Sequence, residues 1–416
     1  MNKFIFIAFL APVIASAQNT AVETVCIENA GVAAYLADKT YDTNNDYNTT
    51  VILNYATDTY LQGTDSLDVP MGKEITWQNK TSAAELQQRQ VLLSFSPLFF
   101  NADAFSLSDL SASHFTVYNL LPGKTYYYRV EETLLSGDKQ LLAFGSFKTT
   151  GQERMIKAEG AMNTRDMGGW PTAFNVPVRY GKLFRSTHLH YLSDKGREAL
   201  ADRLNIQEEL DIMSSVESAE NPSKLGVGYK HICLGNYDWA LTRAHTLNVD
   251  STVKAFKWVI SELRKGTNVD FHCSAGCDRA GTFAWLLEGV LGLSEADLCR
   301  DYELSQFFVM RTSSTDYRTR TNYLADPNLV NLVVKASGTS SSSPLNESFY
   351  QFCIKYGMTA ADLDFFRLYM LDWESAYQQY ILNGAAATEA TCEDRNTDKA
   401  VNVADILRLQ QQRLDK

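Results

Sequence analysis

The chain has 416 residues, of which 45% are hydrophobic and 21% charged, with a formal net charge of -11 at pH 7. This length and hydrophobic content predict two or more packed domains, and the acidic balance argues against a protein that binds nucleic acid or an anionic membrane surface. Seven cysteines in a chain of this length are too few for a disulfide scaffold.

The first 17 residues are typical of a secretory signal peptide. Lys3 precedes an apolar run from Phe4 to Ile14, and Ala15-Ser16-Ala17 offers the small residues of a cleavage site. No later segment reaches the roughly 18 uninterrupted apolar residues of a membrane-spanning helix. We therefore expect an exported protein, periplasmic or extracellular, without a transmembrane anchor.

Residues 20–150 are predicted to form an all-β sandwich. Short β-rich runs separated by turn residues follow one another at Thr49–Tyr55, Glu74–Trp77, Val91–Phe95, Phe115–Tyr118 and Thr125–Val130. The segment Leu120–Tyr126 resembles the tyrosine corner of fibronectin type III domains, in which the tyrosine hydroxyl bonds back to the turn. No catalytic set of residues lies here, so we interpret this part as a spacer or substrate-presenting module; a protein- or glycan-binding face that includes Trp77 is the alternative.

Residues 151–383 are predicted to form an α/β domain with a central sheet flanked by helices. Its key stretch is Val269–Thr282, in which an apolar run is followed by a loop of small residues and then by helical spacing. In a loop between a strand and a helix, the backbone amides turn inward and the helix directs its positive end at the same point. The sequence therefore predicts a phosphate cradle formed by Ser274, Ala275, Gly276, Cys277, Asp278 and Arg279.

Cys273 and Arg279 form a Cys-x5-Arg pattern around this loop. The field of the loop stabilises a thiolate and makes Cys273 nucleophilic at neutral pH, and Arg279 presents a planar fork to two phosphoryl oxygens. A buried structural cysteine, the alternative, would require neither the arginine nor the small residues. We therefore predict a phosphomonoesterase that acts through a phosphocysteine intermediate and needs no cofactor for catalysis.

This stretch resembles the Cys-x5-Arg phosphatases, in particular the bacterial secreted tyrosine-phosphatase family, whose loop reads His-Cys-x-Ala-Gly-Lys-Asp-Arg-Thr-Gly. Three further stretches are similar to motifs of that family: Asn163–Trp170, Leu183–Ser186 and Asp301–Ser305. The resemblance covers about residues 155–380. It implies a phosphorylated protein or a small phosphomonoester as substrate, phosphotyrosine first, with phosphoinositides or inositol phosphates as alternatives.

Three positions depart from the family pattern. Cys277 replaces the loop lysine, which removes a cation for polyanionic substrates, and Met213 replaces an arginine in the family's Asp-Leu-Arg, which predicts that a pocket arginine is absent. Ala280 replaces a hydroxyl residue that helps the thiolate leave in the family, although Thr282 is close enough to compensate in part. Ala280 keeps open a function of another class, an adaptor that binds a phosphorylated ligand without turnover.

The general acid has two candidates. Asp238 lies 35 residues before Cys273, a separation similar to that of the mobile acid loop in many relatives. Asp278 lies inside the loop beside Arg279, and the resemblance implies the same role for it. A carboxyl group near a dianionic phosphate has its pKa raised, which allows either residue to donate a proton; we favour Asp278 slightly.

Two further pairs invite a functional interpretation. His188 and His190 suggest a metal, but no third ligand follows at a useful spacing, so we interpret them as structural. Cys273 and Cys277 could form a reversible disulfide that shields the nucleophile in an oxidising compartment. The alternative is that Cys277 packs as a small apolar residue.

After a linker of small residues at 384–391, the tail 392–416 holds a twelve-residue loop that begins at Asp394. Oxygen-bearing side chains occupy loop positions 1, 3, 5, 9 and 12, which is the spacing of a calcium loop: Asp394, Asn396, Asp398, Asn402 and Asp405. The loop resembles a single dockerin repeat, which implies a structural calcium ion, although Lys399 replaces the usual turn glycine.

Overall fold

The computed structural model of the protein describes residues 22–38, 70–235, 249–307, 329–340 and 342–374. They divide into two compact units, which we describe separately: the first takes residues 22–27 and 72–151, and the second takes the remainder. The predicted signal peptide, the β-rich run Thr49–Tyr55, Asp238 and the predicted linker and calcium loop lie outside the described residues.

The first unit consists of two β-sheets. Its strands are β1 (Glu23–Cys26), β2 (Lys73–Thr76), β3 (Leu86–Ser94), β4 (Asp103–Ser106), β5 (His114–Val117), β6 (Thr125–Leu134) and β7 (Lys139–Thr150). Five strands form a sheet in the order β1-β7-β6-β3-β4, and β2 pairs with β5. Only β1 and β7 pair in parallel among these strands of the described chain. Apolar side chains from both sheets, among them Ile75, Val91, Val117 and Phe147, meet in one core.

The turn before β6 is closed by Tyr126. Its ring is buried, and its hydroxyl accepts a hydrogen bond from the Leu121 amide at 2.8 Å. Gly123 in the same turn has φ +69°, a left-handed conformation that glycine adopts without strain. The Thr149 hydroxyl of β7 donates to the Leu121 carbonyl at 2.6 Å. A tyrosine hydroxyl therefore bonds back to the turn, as the sequence pattern predicts.

The second unit is built on a five-stranded sheet. Its strands are β8 (Arg165–Asp166), β9 (Leu183–Ser186), β10 (Ile206–Asp211), β11 (Gly228–His231) and β12 (Asn268–His272), in the order β11-β10-β12-β9-β8. The four strands from β11 to β9 are parallel, and β8 is antiparallel to β9. The predicted α/β domain with a central sheet is confirmed, and β12 is its middle strand.

Nine helices are described in this unit: α1 (Ala30–Ala37), α2 (Asp194–Arg197), α3 (Ser215–Glu220), α4 (Val249–Arg264), α5 (Asp278–Leu291), α6 (Glu295–Leu304), α7 (Leu329–Ser337), α8 (Leu345–Lys355) and α9 (Ala360–Met370). A π-helical stretch, Glu198–Arg203, continues α2. Helix α5 is almost entirely buried, and its buried residues include the charged Arg279 and Glu288. Its Phe283 meets Phe271 of β12 edge to face at 5.1 Å. No helix in the described ranges is long and apolar enough to cross a membrane.

Helix α1 lies in the second unit although it precedes most of the first unit in the chain. Asn29 caps its first turn by accepting from the Val32 amide at 2.8 Å. Val32 and Tyr35, three residues apart on one helical face, are fully buried in the α/β core. The expected division into residues 20–150 and 151–383 therefore differs from the structure, in which residues 28–38 belong with the later part of the chain.

Candidate active site

Cys273 directly follows the middle strand of the sheet and is buried. The loop then turns at Gly276, where φ is +67° and an added Cβ would lie 2.5 Å from the Ser186 carbonyl oxygen. Glycine is therefore required at this turn, both by conformation and by space. Helix α5 begins two residues later, at Asp278. The chain thus follows the predicted order of strand, tight loop and helix.

The carbonyl groups of the loop are held from outside it. The Ser274 carbonyl accepts from the His188 amide at 3.2 Å, that of Ala275 from Asn163 Nδ2 at 3.1 Å, and that of Gly276 from Arg185 Nη2 at 2.9 Å. The backbone amides of the same three loop residues have no acceptor within the part of the chain that the structure describes. Because these donors sit at the start of a helix, the loop is arranged to receive an anion.

We call the three stretches that resemble family motifs, Asn163–Trp170, Leu183–Ser186 and Asp301–Ser305, the satellite motifs. They meet around Asp301. Its carboxylate accepts from Arg165 Nε at 3.0 Å and forms an ion pair with Arg185. Arg165 also donates to Asn163 Oδ1 at 2.6 Å. Burial disfavours the ionised form of Asp301, but the charges of Arg165 and Arg185 outweigh it and lower the pKa of Asp301. The motifs therefore act as a rigid frame that fixes the loop.

A buried ion pair involves His272, the residue that precedes Cys273 in the chain. His272 Nε2 is 2.8 Å from Glu209 Oε1, and both side chains are about 2% exposed. Burial disfavours the imidazolium, but the hydrogen bond and charge of Glu209, helped by the charges of Asp211 and Asp270, outweigh it and raise the pKa of His272 to about 9. His272 is therefore a cation at neutral pH.

Asp270 lies two residues before His272 on the same face of β12. Its carboxylate accepts from the Ser186 hydroxyl at 2.7 Å. Burial raises the pKa of Asp270 to about 6, against the charge of His272 and the hydrogen bond of Ser186. The middle strand thus has an ionic face that is fully enclosed in protein.

Arg279 makes a bidentate ion pair with Glu217 of α3. Its Nη1 and Nη2 atoms lie 2.6 and 2.8 Å from the two carboxylate oxygens. The hydrogen bond from Arg279 is the main cause that lowers the pKa of Glu217 to about 2. A guanidinium has five N–H donors, so this pair fixes its orientation without exhausting its donors.

Glu217 was not predicted as a site residue. Together with Ser214 it forms a capping box, in which Ser214 Oγ accepts from the Glu217 amide at 3.3 Å and Glu217 Oε2 accepts from the Ser214 amide at 3.0 Å. The Ser-x-x-Glu spacing after β10 is visible in the sequence and predicts a helix start. It does not by itself indicate that the carboxylate also meets Arg279.

Of the two acid candidates, Asp278 is described. It is the first residue of α5, and its carboxylate accepts from the Tyr302 hydroxyl at 3.3 Å. Asp238 lies outside the described residues. The choice between them stays open.

The departures from the family pattern are all buried. Cys277 packs at the loop, where its thiol donates to the Ala275 carbonyl at 3.3 Å and accepts from Asn163 at 3.2 Å. Cys273 and Cys277 are both free thiols in this structure. Ala280 and Met213 are fully buried, and the Thr282 hydroxyl is buried without a hydrogen-bond partner among the described residues.

No cluster of three or more metal-ligating side chains occurs among the described residues. His188 and His190 have ring centroids 6.3 Å apart, and His190 Nδ1 is 3.2 Å from the Pro222 carbonyl. The predicted calcium ligands in the tail are outside the described ranges.

Comparisons with known proteins bear on the second unit. Among curated proteins, a tyrosine-protein phosphatase of Nostoc commune is 29% identical over 143 residues, which are 30% of this chain and 48% of that protein. A protein of Cupriavidus necator named as a candidate tyrosine-protein phosphatase is 26% identical over 161 residues, 34% of this chain and 59% of that protein. The chain thus spans about half the length of the curated relatives that it matches.

Among solved structures, P. aeruginosa TpbA in complex with phosphotyrosine is similar at 15% identity and a TM-score of 0.27, over 44% of this chain and 95% of that one. The family model described as the tyrosine phosphatase family matches residues 156–361. That segment contains the sheet of the second unit, the three satellite motifs and the cysteine loop. Residues 156–361 therefore match the tyrosine phosphatase family, and the candidate site lies within the match.

Proposed function

We propose that this protein is a phosphomonoester hydrolase of the protein-tyrosine-phosphatase type. The observation that carries the proposal is the loop after Cys273, whose carbonyls are tied outward while the amides of residues 274–276 have no acceptor in the described chain. Such a set of amides beside a cysteine at a helix start binds a phosphoryl group and stabilises a thiolate. The match to the tyrosine phosphatase family supports the same conclusion.

The mechanism needs only residues of the chain and water. The Cys273 thiolate attacks the phosphorus in line, an S–P bond forms, and the P–O bond to the leaving group breaks as that oxygen takes a proton from the acid. Arg279 and the inward amides hold the equatorial oxygens throughout. Water then attacks the phosphocysteine and gives a proton to the carboxylate that the acid has become, the S–P bond breaks and the thiolate returns, so the cycle restores both residues and consumes one water for each ester.

Two variants test this mechanism. Cys273→Ser should abolish turnover while phosphate binding survives, because the cradle is made of backbone amides. Arg279→Ala should damage both binding and rate, since its contacts are made in the ground state and the transition state alike. Retention of phosphatase activity by Cys273→Ser would refute the phosphocysteine route.

The acid is identified by leaving-group dependence. Changing the true donor to asparagine should slow phenyl phosphate roughly 10²-fold and nitrophenyl phosphate much less, because a good leaving group needs little protonation. Asp278→Asn and Asp238→Asn are compared in this assay. If neither changes the dependence on the leaving group, both assignments fail.

A binding function without turnover is the second candidate, and the buried Ala280 is the observation that favours it. The position that carries a hydroxyl in the family has none here, which slows departure of the thiolate and lets a phosphocysteine persist. Burst kinetics with an aryl phosphate separate the two functions. A burst followed by steady turnover supports the enzyme, whereas one stoichiometric burst supports the adaptor.

For the substrate, we infer phosphotyrosine or another small monoester in preference to phosphoinositides or inositol phosphates. The loop and pocket positions that carry cations in the family hold Cys277 and Met213, both buried and uncharged. A polyphosphorylated ligand would therefore leave its extra charges unpaired at these positions. A panel of phosphotyrosyl peptide, phosphoseryl peptide, phosphoinositide and phytate tests the order, and preference for phytate would reverse it.

We further infer that the protein is exported, that the first unit is a fibronectin type III-like sandwich that presents substrate or binds a partner, and that the tail binds calcium. The signal-like start, the Tyr126 hydrogen bond and the ligand spacing from Asp394 support these three inferences in turn. Mass spectrometry of the native protein should show loss of residues 1–17. Calorimetric titration with calcium should lose its signal in Asp394→Ala.

A further inference from the structure

The turn after β9 places three ring-bearing residues next to the cysteine loop. We call His188, His190 and Tyr191 the imidazole shelf. The backbone joins the shelf to the loop, because the His188 amide donates to the Ser274 carbonyl at 3.2 Å. Ring centroids of His188 and Tyr191 are 5.4 Å apart, and those of His190 and Tyr191 are 4.9 Å apart. Tyr191 is 66% exposed, so the shelf is open to solvent on one side.

His188 carries a ring nitrogen without a hydrogen-bond partner among the described residues. This atom, Nδ1, is buried. Four ionisable groups act on it electrostatically: His272 of β12, His190 of the shelf, Asp211 of β10 and Glu217 of α3. Burial is the main cause that lowers the pKa of His188, and the two histidines lower it further against the two carboxylates. The imidazole is therefore neutral in the ligand-free protein near pH 7.

Strand topology explains why these groups meet. Strands β9 and β10 lie on either side of β12 and all three run parallel. Segments that leave their carboxyl ends therefore converge over Cys273, as in other open parallel sheets. Glu217 follows β10 and holds Arg279. His188, which follows β9, interacts electrostatically with that same carboxylate.

The charges at this site are paired before any ligand binds. Arg279 is matched by Glu217 and His272 by Glu209, while the family's two additional cations are replaced by Cys277 and Met213. A phosphoryl dianion in the loop thus meets donor groups but little net positive charge. Among the described residues that follow the strands flanking β12, His188 is an imidazole beside the loop that can gain a positive charge near neutral pH.

We propose that His188 is a substrate-binding residue that takes up a proton when a phosphoryl dianion enters the cysteine loop. The imidazolium so formed supplies the cation that positions 277 and 213 do not. This inference rests on the proposed function, since it assumes that the loop receives a phosphoryl group. Anion binding raises the pKa of His188. The affinity for the anion therefore increases as the pH falls through the pKa of His188 in the complex, and it becomes constant below the pKa of His188 in the free protein.

The test uses sulfate, a tetrahedral dianion that does not itself titrate near neutral pH, with the Cys273→Ser protein, which has no thiolate to titrate. Sulfate affinity is measured from about pH 8 to about pH 5, and we expect a rise of about tenfold, which corresponds to a shift of about one pKa unit in His188. His188→Gln should flatten this rise. His190→Gln is the matched control, because it removes the other histidine of the shelf and keeps His188. It should retain the rise in sulfate affinity.

A rise that persists in His188→Gln, or one that disappears only in His190→Gln, would overturn the assignment. The imidazole resonances of the unsubstituted shelf provide a readout that does not depend on folding of the variant: added sulfate should move the His188 titration to higher pH, and an unmoved titration rejects the proposal. Failure of the proposed function looks different. In that case sulfate does not bind at any pH and no phosphotyrosyl peptide is hydrolysed.

Discussion

Replacing Glu209 with glutamine removes the carboxylate that lies 2.8 Å from His272 and keeps the size of the side chain. His272 stays buried in this variant, and burial, which lowers its pKa, is the largest single influence on that pKa. Without the charge of Glu209, that burial favours the neutral imidazole. We therefore expect the pKa of His272 to fall from about 9 by about two units or more.

The pKa of His272 differs between the folded and the unfolded protein, and this difference contributes to the free energy of unfolding. An imidazole that titrates at about 9 when folded and near its model value of about 6.5 when unfolded stabilises the fold by about 3 kcal/mol, at about 1.4 kcal/mol per unit. Because the pKa is raised on folding, this stability is fully present below about pH 6.5 and is lost as the pH rises through about 9. Asp270, whose pKa is about 6, has already ionised across most of that interval.

The assay is an NMR titration of the histidine imidazoles, with His272 assigned by His272→Gln. The free energy of unfolding of the second unit is compared at about pH 7 and about pH 10 as a second readout, and Glu209→Gln should lose most of the difference of roughly 2.5 kcal/mol between these two pH values. Glu208→Gln is the matched control on the same strand, because the carboxylate beside His272 is that of Glu209 and the charges that act on Glu208 are Glu262 and Lys265. A pKa of His272 near 9 in Glu209→Gln would refute the reasoning.

Three further predictions concern the site and its support. Glu217→Gln should lower kcat about tenfold or more, because Arg279 loses charge-assisted bonds worth roughly 1.5–3 kcal/mol, whereas Glu220→Gln at the exposed end of the same helix should not. Ala280→Ser should raise the steady rate relative to the burst with an aryl phosphate, and a lower steady rate would argue against a role for this hydroxyl. Tyr35→Phe should destabilise the second unit by about 1–3 kcal/mol, measured by thermal unfolding, because Glu303 loses its buried donor; unchanged stability would contradict the assigned role of α1.

The cysteine loop could be predicted from the sequence because the residues that determine its conformation are close together in the chain. Gly276 is needed for a left-handed turn, Cys273 directly follows a strand, and Arg279 is the second residue of a helix, so spacing along the chain is enough to place them near one another. The motifs around Asn163, Arg185 and Asp301 were predicted only by resemblance. These residues form ion pairs with one another and donate hydrogen bonds to the loop carbonyls. Such contacts join distant parts of the chain, so the sequence does not show them.

Other parts of the site could not be predicted for physical reasons. The polar residues Asp270 and His272 alternate with apolar ones on β12, a pattern typical of a strand with one solvent-facing side, yet the strand is buried on both faces. Glu209 makes this possible by pairing with His272 across 63 residues of sequence. Glu217 was missed for the same reason, since its partner Arg279 is 62 residues away.

The domain boundary shows how far the site extends along the chain. Helix α1 precedes most of the first unit and lies outside the family match at 156–361, but Glu28 beside it accepts from the amides of Gln152 and Glu153 at 2.7 Å. The Tyr35 hydroxyl donates to Glu303, two residues after the aspartate whose carboxylate holds Arg185.

Arg185 in turn holds the Gly276 carbonyl of the phosphate loop. Three contacts thus link a helix at the start of the chain to the cradle beside Cys273. A fragment that begins at the family boundary would lose the buried face of α1 and the buried hydrogen bond from Tyr35 to Glu303, and the loss of a buried hydrogen bond destabilises a fold. The unit that holds the candidate site therefore includes residues 28–38, and its loop is connected through these contacts to a segment that neither the loop motif nor the family pattern contains.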